Sequence, residues 1–328
     1  MASYHLVRIF VPLPLLAALA LALWTLVGSA PCSASGPLKI GVLQIEDVVP
    51  LYVAEQQDYY RREGVNVSLV PFLSALERDS ALAAGAIDGA INDPIGAILF
   101  DQGRGLVQIT SLGLGQTPAE GIFAILGAPG STIRQVDDLK RVEIAVSSAT
   151  IIDYVTERLL TKSGFTADEI RTIDVKKMPI RMQMLLSGAV QAATLPEPLA
   201  SIAVGNGARV LISDDQADES LSQTVIVFRT AVLNERPDAV AAFFRAYRSG
   251  IEALNARPEH YRDLVVRIGR IPPDLAPHYP IPAYPLPQPF PRELYRPVMD
   301  WLSSRGLVET LPYETMVATD FLGDSAPR

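Results

Sequence analysis

A ten-residue segment occurs twice, about a hundred residues apart, and this repetition constrains the fold more than any other feature of the chain. Ala81-Leu82-Ala83-Ala84-Gly85-Ala86-Ile87-Asp88-Gly89-Ala90 returns as Met184-Leu185-Leu186-Ser187-Gly188-Ala189-Val190-Gln191-Ala192-Ala193, sharing Leu-x-x-Gly-Ala-(Ile/Val)-x-x-Ala. In each copy a helical spacing stops at a Gly and a short apolar run follows, the pattern of a helix end leading into a strand. The text before each copy matches as well. Leu38–Leu43 and Val142–Val146 are short apolar runs, Val49–Gly64 and Ile151–Gly164 keep helical spacing up to a Gly, and Val65–Val70 and Ile173–Val175 read as strands. Ser74–Ala84 reads as a helix with Ser74 as its N-cap, and Ala86–Ile91 as a third strand. Strands alternating with helices predict a mostly parallel sheet flanked by helices, and two units of equal spacing predict two similar lobes. Small α/β units also look alike without any shared plan, so the repeat alone leaves both readings open.

The 328 residues are enough for two lobes with cores of their own. Thr224–Phe228 reads as a strand, and Pro237–Leu254 as an amphipathic helix begun by a favourable Pro. Ten of the 26 prolines then fall within Ile271–Pro297. That density predicts an extended path over the surface instead of helix or central strand. A helix over Glu293–Arg305 and a short one over Glu314–Phe321 close the chain.

Composition excludes several function classes. With 28 Lys and Arg against 36 Asp and Glu, and no long basic cluster, nucleic acid is not an expected partner. One Cys and three His leave no Cys-cluster metal site, little room for His-based catalysis and no expected cofactor. Residues Ile9–Val27 carry no charge, follow His5 and Arg8, and give way to the small residues around Cys32. This is the layout of an export signal, with cleavage after Ala34 expected. Lipidation at Cys32 and an uncleaved membrane anchor are the alternatives; against lipidation, Ser29, Ala30 and Pro31 depart from the usual lipidation context. The mature chain is expected outside the cytoplasmic membrane, in the periplasm or on the membrane's outer face, as a monomer.

Several motifs carry a family resemblance: Leu38-Lys39-Ile40-Gly41-Val42, Arg62-Glu63-Gly64-Val65-Asn66-Val67, the Gly85–Ala90 turn and Pro196-Glu197-Pro198. So does the ending, Val298-Met299-Asp300-Trp301-Leu302 through Gly306-Leu307-Val308 and Tyr313-Glu314 to Phe321-Leu322. The chain resembles the nitrate/sulfonate/taurine group of periplasmic solute-binding proteins, which includes binders of the pyrimidine precursor of thiamine. The resemblance implies a type II two-lobed clamshell of the periplasmic-binding-protein kind, a hinge of two crossings, and delivery of a solute to ABC permease and ATPase subunits. Mapped onto this chain, residues 37–118 and 230–328 form lobe one and residues 119–229 lobe two. Two alternatives stay open: a binding-protein-like enzyme of cofactor biosynthesis, and a sensory solute receptor. An enzyme of that kind would be intracellular and would need a reactive His or Cys at the cleft, whereas Cys32, His260 and His278 fall outside the expected cleft loops.

In an open parallel sheet a ligand meets the carboxyl ends of the strands, where helix N-termini aim free N–H groups. In lobe one this points to Gln44, Glu46, Asp47, Tyr52, Ser74 and Asn92. In lobe two it points to Ser147, Ser148, Thr150 and Glu197. Each of the hydroxyls is also a plausible helix cap, and Asp47 and Asp93 also read as solvated loop and turn residues. Tyr52, Tyr279 and Tyr284 could offer a stacking face, the last two being expected to pack on the surface instead. No Arg falls in a strand-end loop, although Arg181 and Arg229 are close in sequence. With Glu46 and Asp47 nearby, that favours an amine-bearing or neutral heterocyclic solute, pyrimidine-like or related to a thiamine precursor, over sulfonate, nitrate or taurine.

Overall fold

The computed structural model describes residues 36–322; the expected export signal and Cys32 lie outside the described residues. Among the described residues, ten strands form two five-stranded sheets. They are β1 (Leu38–Leu43), β2 (Val67–Phe72), β3 (Gly89–Asn92), β4 (Val107–Leu114), β5 (Phe123–Gly127), β6 (Glu143–Val146), β7 (Arg171–Asp174), β8 (Ala192–Pro196), β9 (Arg209–Ser213) and β10 (Thr224–Arg229). The first sheet runs β2-β1-β3-β10-β4 and the second β7-β6-β8-β5-β9. Strand β1 pairs in parallel with β2 and β3, whereas β10 is antiparallel to both β3 and β4. The second sheet repeats the scheme, with β6 parallel to β7 and β8, and β5 antiparallel to β8 and β9. Each sheet is therefore mostly parallel with one reversed strand, and the chain is α/β with two lobes.

The reversed strands are the first after each passage between sheets. Residues 115–122 carry the chain from β4 to β5, and residues 214–223 carry it from β9 back to β10. The sequence reading put Thr224–Arg229 in lobe two, but these residues pair within the first sheet. An apolar run such as Thr-Val-Ile-Val-Phe suits either sheet, so nothing in it marks the crossing.

The repeated Gly has a conformational cause. Gly85 (φ 67°) and Gly188 (φ 73°) both follow a helix end in the left-handed region, where a Cβ is penalised. The expected helix over Val49–Gly64 is instead two, Val49–Gln56 and Tyr59–Arg62, because Asp58 between them turns to φ 58°. The last helix is shorter than expected, Tyr313–Met316, and Val317 then bridges to Ile109 of β4.

Helix Pro237–Ala256 buries Val240, Phe243, Phe244, Tyr247, Ile251 and Leu254 at helical spacing. Phe243 sits at the centre of an aromatic cluster with Tyr60, Phe228, Phe244 and Tyr247. Between Ile271 and Pro291 the proline-rich segment forms neither helix nor strand. It meets the edge strand β4 where the Leu112 N–H donates to Gln288 O (2.9 Å) and the Gln288 N–H donates to Ser111 Oγ (3.2 Å), which occupies part of an edge that would otherwise be open to another chain. Its tyrosines are not on the surface as the sequence suggested. Tyr284 is buried, exchanges two hydrogen bonds with Asn255 and donates from Oη to Glu46 O at 2.8 Å. No helix among the described residues is long and apolar enough to cross a membrane.

Candidate functional site

Strands β1 and β3 of the first sheet and β6 of the second end at a shared cavity. Its lining includes Leu43, Ile45, Asp47, Asn92 and Asp93 from lobe one, and Ser147, Thr150, Ile151, Ile152 and Lys176 from lobe two. Its volume is about 40 Å³, room for a few water molecules. Two helices begin here. Asp93 Oδ1 accepts the Gly96 N–H (2.7 Å) at the start of helix Pro94–Asp101, and Thr150 Oγ1 accepts the Ile152 N–H (3.2 Å) at the start of helix Ile151–Lys162.

The cavity's electrostatics turn on a residue the sequence reading missed. Arg78, the fourth residue of helix Ala75–Ala83, is 2% exposed and lines the cavity, although no arginine falls in a strand-end loop. A helical side chain of this length points back toward its own N-terminus, which carries the guanidinium from the helix into the site. There Nε donates to Asp79 Oδ1 (2.9 Å), Nη1 to Ile91 O (3.0 Å), and Nη2 to Asn92 Oδ1. The repeat held the missing signal, since Arg181 is also the fourth residue of its helix, Met178–Leu186, and is fully buried, with Nη1 donating to Val175 O. Arg229 is not at the cavity; its guanidinium lies against Gly85.

Asp47, one of whose readings was a solvated loop residue, is 3% exposed. Burial pushes its carboxyl up to about 7 against the opposing pull of Arg78, with Asp93 raising it further. Burial likewise raises Asp93 to about 6, eased first by Arg78. Both cations at the cavity already have carboxylate partners, Asp79 for Arg78 and Asp174 for Lys176 (2.7 Å). Asp47 and the buried hydroxyl of Thr224, also in the lining, face each other, and neither Asp47 Oδ1 nor that hydroxyl makes a hydrogen bond of good geometry.

The ten sequence-predicted residues divide into three groups. Asp47, Asn92, Ser147 and Thr150 meet at the cavity. Glu46 and Glu197 instead line a separate groove at the hinge, where the Glu46 N–H donates to Glu197 O (3.3 Å) across the lobes. Burial raises Glu46 to about 8, with Glu197 the next cause. The remaining four line neither. Gln44 is half-buried, Tyr52 packs against the core, Ser74 Oγ caps its helix through the Glu77 N–H (3.2 Å), and the Ser148 N–H donates to Asp174 Oδ1 (3.0 Å).

The two lobes also meet outside the cavity. Tyr154 of lobe two packs edge-to-face on Trp301 of helix Arg292–Ser304 (5.6 Å), and Glu157 pairs with Arg305.

The family model described as NMT1/THI5 like matches residues 45–261. No curated protein sequence matches the chain. Among solved structures, the chain is similar to the zinc-bound ligand-binding component of an ABC-type import system from Staphylococcus aureus. The TM-score is 0.76 at 16% identity, over 89% of this chain and 99% of that one. It is also similar to the alkanesulfonate-binding protein SsuA from Xanthomonas axonopodis pv. citri bound to MOPS (TM-score 0.72, 19% identity, 87% and 99% covered). The desulfurization enzyme DszB shares the fold at a TM-score of 0.66 and 13% identity, with 88% and 98% covered. At these identities the structural likeness establishes the fold, that of two-lobed periplasmic binding proteins.

Proposed function

The chain belongs to the NMT1/THI5-like family, and from that premise we propose that it is the exported solute-binding subunit of an ABC importer. It closes two lobes around a small polar organic solute and hands that solute to a permease. The S. aureus and Xanthomonas proteins, described as an import component and a sulfonate binder, support the transport role.

The single observation that carries the choice of solute is the buried Asp47 carboxyl at the cavity, one oxygen of which makes no hydrogen bond of good geometry. A buried acceptor left unmade costs about 1–3 kcal/mol, which a ligand N–H or ammonium recovers on binding. An incoming sulfonate would find Arg78 and Lys176 already paired, and would be repelled by Asp47 and Asp93 wherever these are ionised. The apolar walls of Leu43, Ile45, Phe123 and Ile151 suit the faces of a flat ring. The solute is therefore an amine-bearing heterocycle, such as an aminopyrimidine related to a thiamine precursor. Asp47 accepts its amino hydrogens, and Asn92, Ser147 and Thr150 complete the polar contacts.

Thermal-shift and calorimetric titration against aminopyrimidines, alkanesulfonates, nitrate and taurine tests this reading. An aminopyrimidine should raise the melting temperature, and Asp47→Asn should weaken its binding by about tenfold or more. Preferential binding of a sulfonate, undiminished in Asp47→Asn, would sink the solute assignment.

A further inference from the structure

The hinge groove is a second concavity, of about 620 Å³, and its wall comes from both lobes, both crossings and the proline-rich segment at Leu275, Pro280 and Pro282. Four carboxylates line it, those of Glu46, Glu120, Glu197 and Asp215, with no Lys or Arg among the described lining residues. Glu120 is engaged by the N–H groups of Gly115 and Gln116, and Glu197 by Ser201. Glu46 is 6% exposed and takes part in no ion pair among the described residues. Beside Glu46 and Glu197 stands the Tyr279 hydroxyl, on a side chain 4% exposed, which makes no hydrogen bond of good geometry. The same wall exposes two large apolar side chains, Val204 (43%) and Val210 (47%).

A buried carboxyl without a counter-charge gives up its charge by holding a proton, as Glu46 does, and a bound cation would let it ionise; the exposed valines beside it offer apolar surface that a simple ion cannot use. No three acidic, His or Cys side chains among the described residues are grouped to hold a metal ion, which argues against a divalent cation. We propose that the hinge groove binds a small organic cation, its ammonium head between Glu46, Glu197 and the Tyr279 hydroxyl and its apolar body along Val204 and Val210. Because Glu46 and Glu197 belong to opposite lobes, such a cation bridges them at the hinge and favours the closed arrangement. This groove is distinct from the Asp47 cavity, and its test stands apart from the reading of that cavity.

Calorimetric titration of the purified protein at pH 8 with 2-phenylethylammonium, and with the neutral 2-phenylethanol, decides the matter. The ammonium should bind about tenfold or more tightly than the alcohol. Glu46→Gln and Glu197→Gln should each lower its affinity about tenfold, and Asp47→Asn, coupled to Glu46 by charge, should lower it by clearly less than either. Since Glu46 is buried, Asp215→Asn at an exposed wall position gives a variant with little risk to folding, expected to weaken binding a few-fold. No binding, equal binding of amine and alcohol, binding indifferent to Glu46, Glu197 and Asp215, or loss on Asp47→Asn would each overturn the site; the last would place the amine in the central cavity.

Discussion

Lys177 Nζ lies 3.0 Å from Glu77 Oε1, and the two residues sit at the starts of equivalent helices in opposite lobes. The hydrogen bond from Lys177 holds the Glu77 carboxyl below its ordinary range, helped by the Leu73 N–H, which donates to Oε2. The ion pair exists only while the lobes are together, so it reports closure. Both side chains remain open to solvent, which limits what the pair contributes and makes it sensitive to salt. Lys177→Met should shift the ligand-free protein toward the open form by no more than a few-fold. A distance measurement between labels on the two lobes reads this, and the difference from wild type should shrink at high salt. A difference that survives high salt would mean that Lys177 acts through something other than this pair.

Arg78 is a different case, because burial removes the screening. Replacing it with Met leaves Asp79 and Asn92 without their partner and Asp47 and Asp93 without the charge that opposes their desolvation. The expected loss is about 3–5 kcal/mol in urea unfolding. Arg78→Lys should recover only a minor part, since three separate donor nitrogens address Asp79, Ile91 O and Asn92, and one ammonium cannot span them. Full recovery by Lys would show that charge alone suffices.

How far the sequence revealed these residues depends on whether their cue was local. The repeated Leu-x-x-Gly exposed the two lobes because a left-handed turn after a helix needs Gly wherever it occurs. The strand ends bring four of the ten expected residues, Asp47, Asn92, Ser147 and Thr150, to the cavity, since sheet topology fixes where strands finish. Arg78 escaped because it lies a full turn inside a helix, and only its direction, not its position, brings it to the cavity. Depth was equally hidden. Asp47 and Glu46 read as loop carboxylates until the proline-rich segment, nearly 240 residues away, covers Glu46 by the hydrogen bond from Tyr284.

Four buried carboxyls make stability depend on pH in an unusual direction. Burial is the leading cause in raising Glu46 to about 8, Asp47 and Asp214 to about 7 and Asp93 to about 6. Between the unfolded values near 4 and these folded values, the native state holds more protons than the unfolded chain, so stability falls as pH rises. The contribution is fully present below about pH 4 and lost as pH passes through about 6 to 8. Surface carboxyls held low by their partners, such as Glu77, Asp138 and Asp218, act in the opposite sense at the acid end. The melting temperature should therefore peak near pH 5, by about the midpoint of these opposing ranges, and decline toward pH 8. Asp214→Asn should flatten the decline, because Oδ1 accepts the Phe123 N–H (2.8 Å) while Oδ2 has no partner. The expected gain at pH 8 is on the order of 1–3 kcal/mol. An unchanged slope would place the titration elsewhere.

Gly250 sets two preferences against each other. It lies inside helix Pro237–Ala256, where Ala is favoured over Gly by about 1 kcal/mol. Yet a Cβ there would stand 2.6 Å from Pro50 O and 3.1 Å from Ala54 Cβ on the crossing helix Val49–Gln56. A backbone carbonyl cannot rotate aside as a side-chain tip can, so the helices would have to part, at about 1–3 kcal/mol. Steric cost should win, making Gly250→Ala destabilising in urea unfolding although it improves the helix. Ser249→Ala, one residue away, provides the control and should stay within about 0.5 kcal/mol of wild type. If Gly250→Ala is instead stabilising, the two helices have room to separate, and the 3-10 turn Glu46–Val48, immediately before helix Val49–Gln56, should be free to move with them.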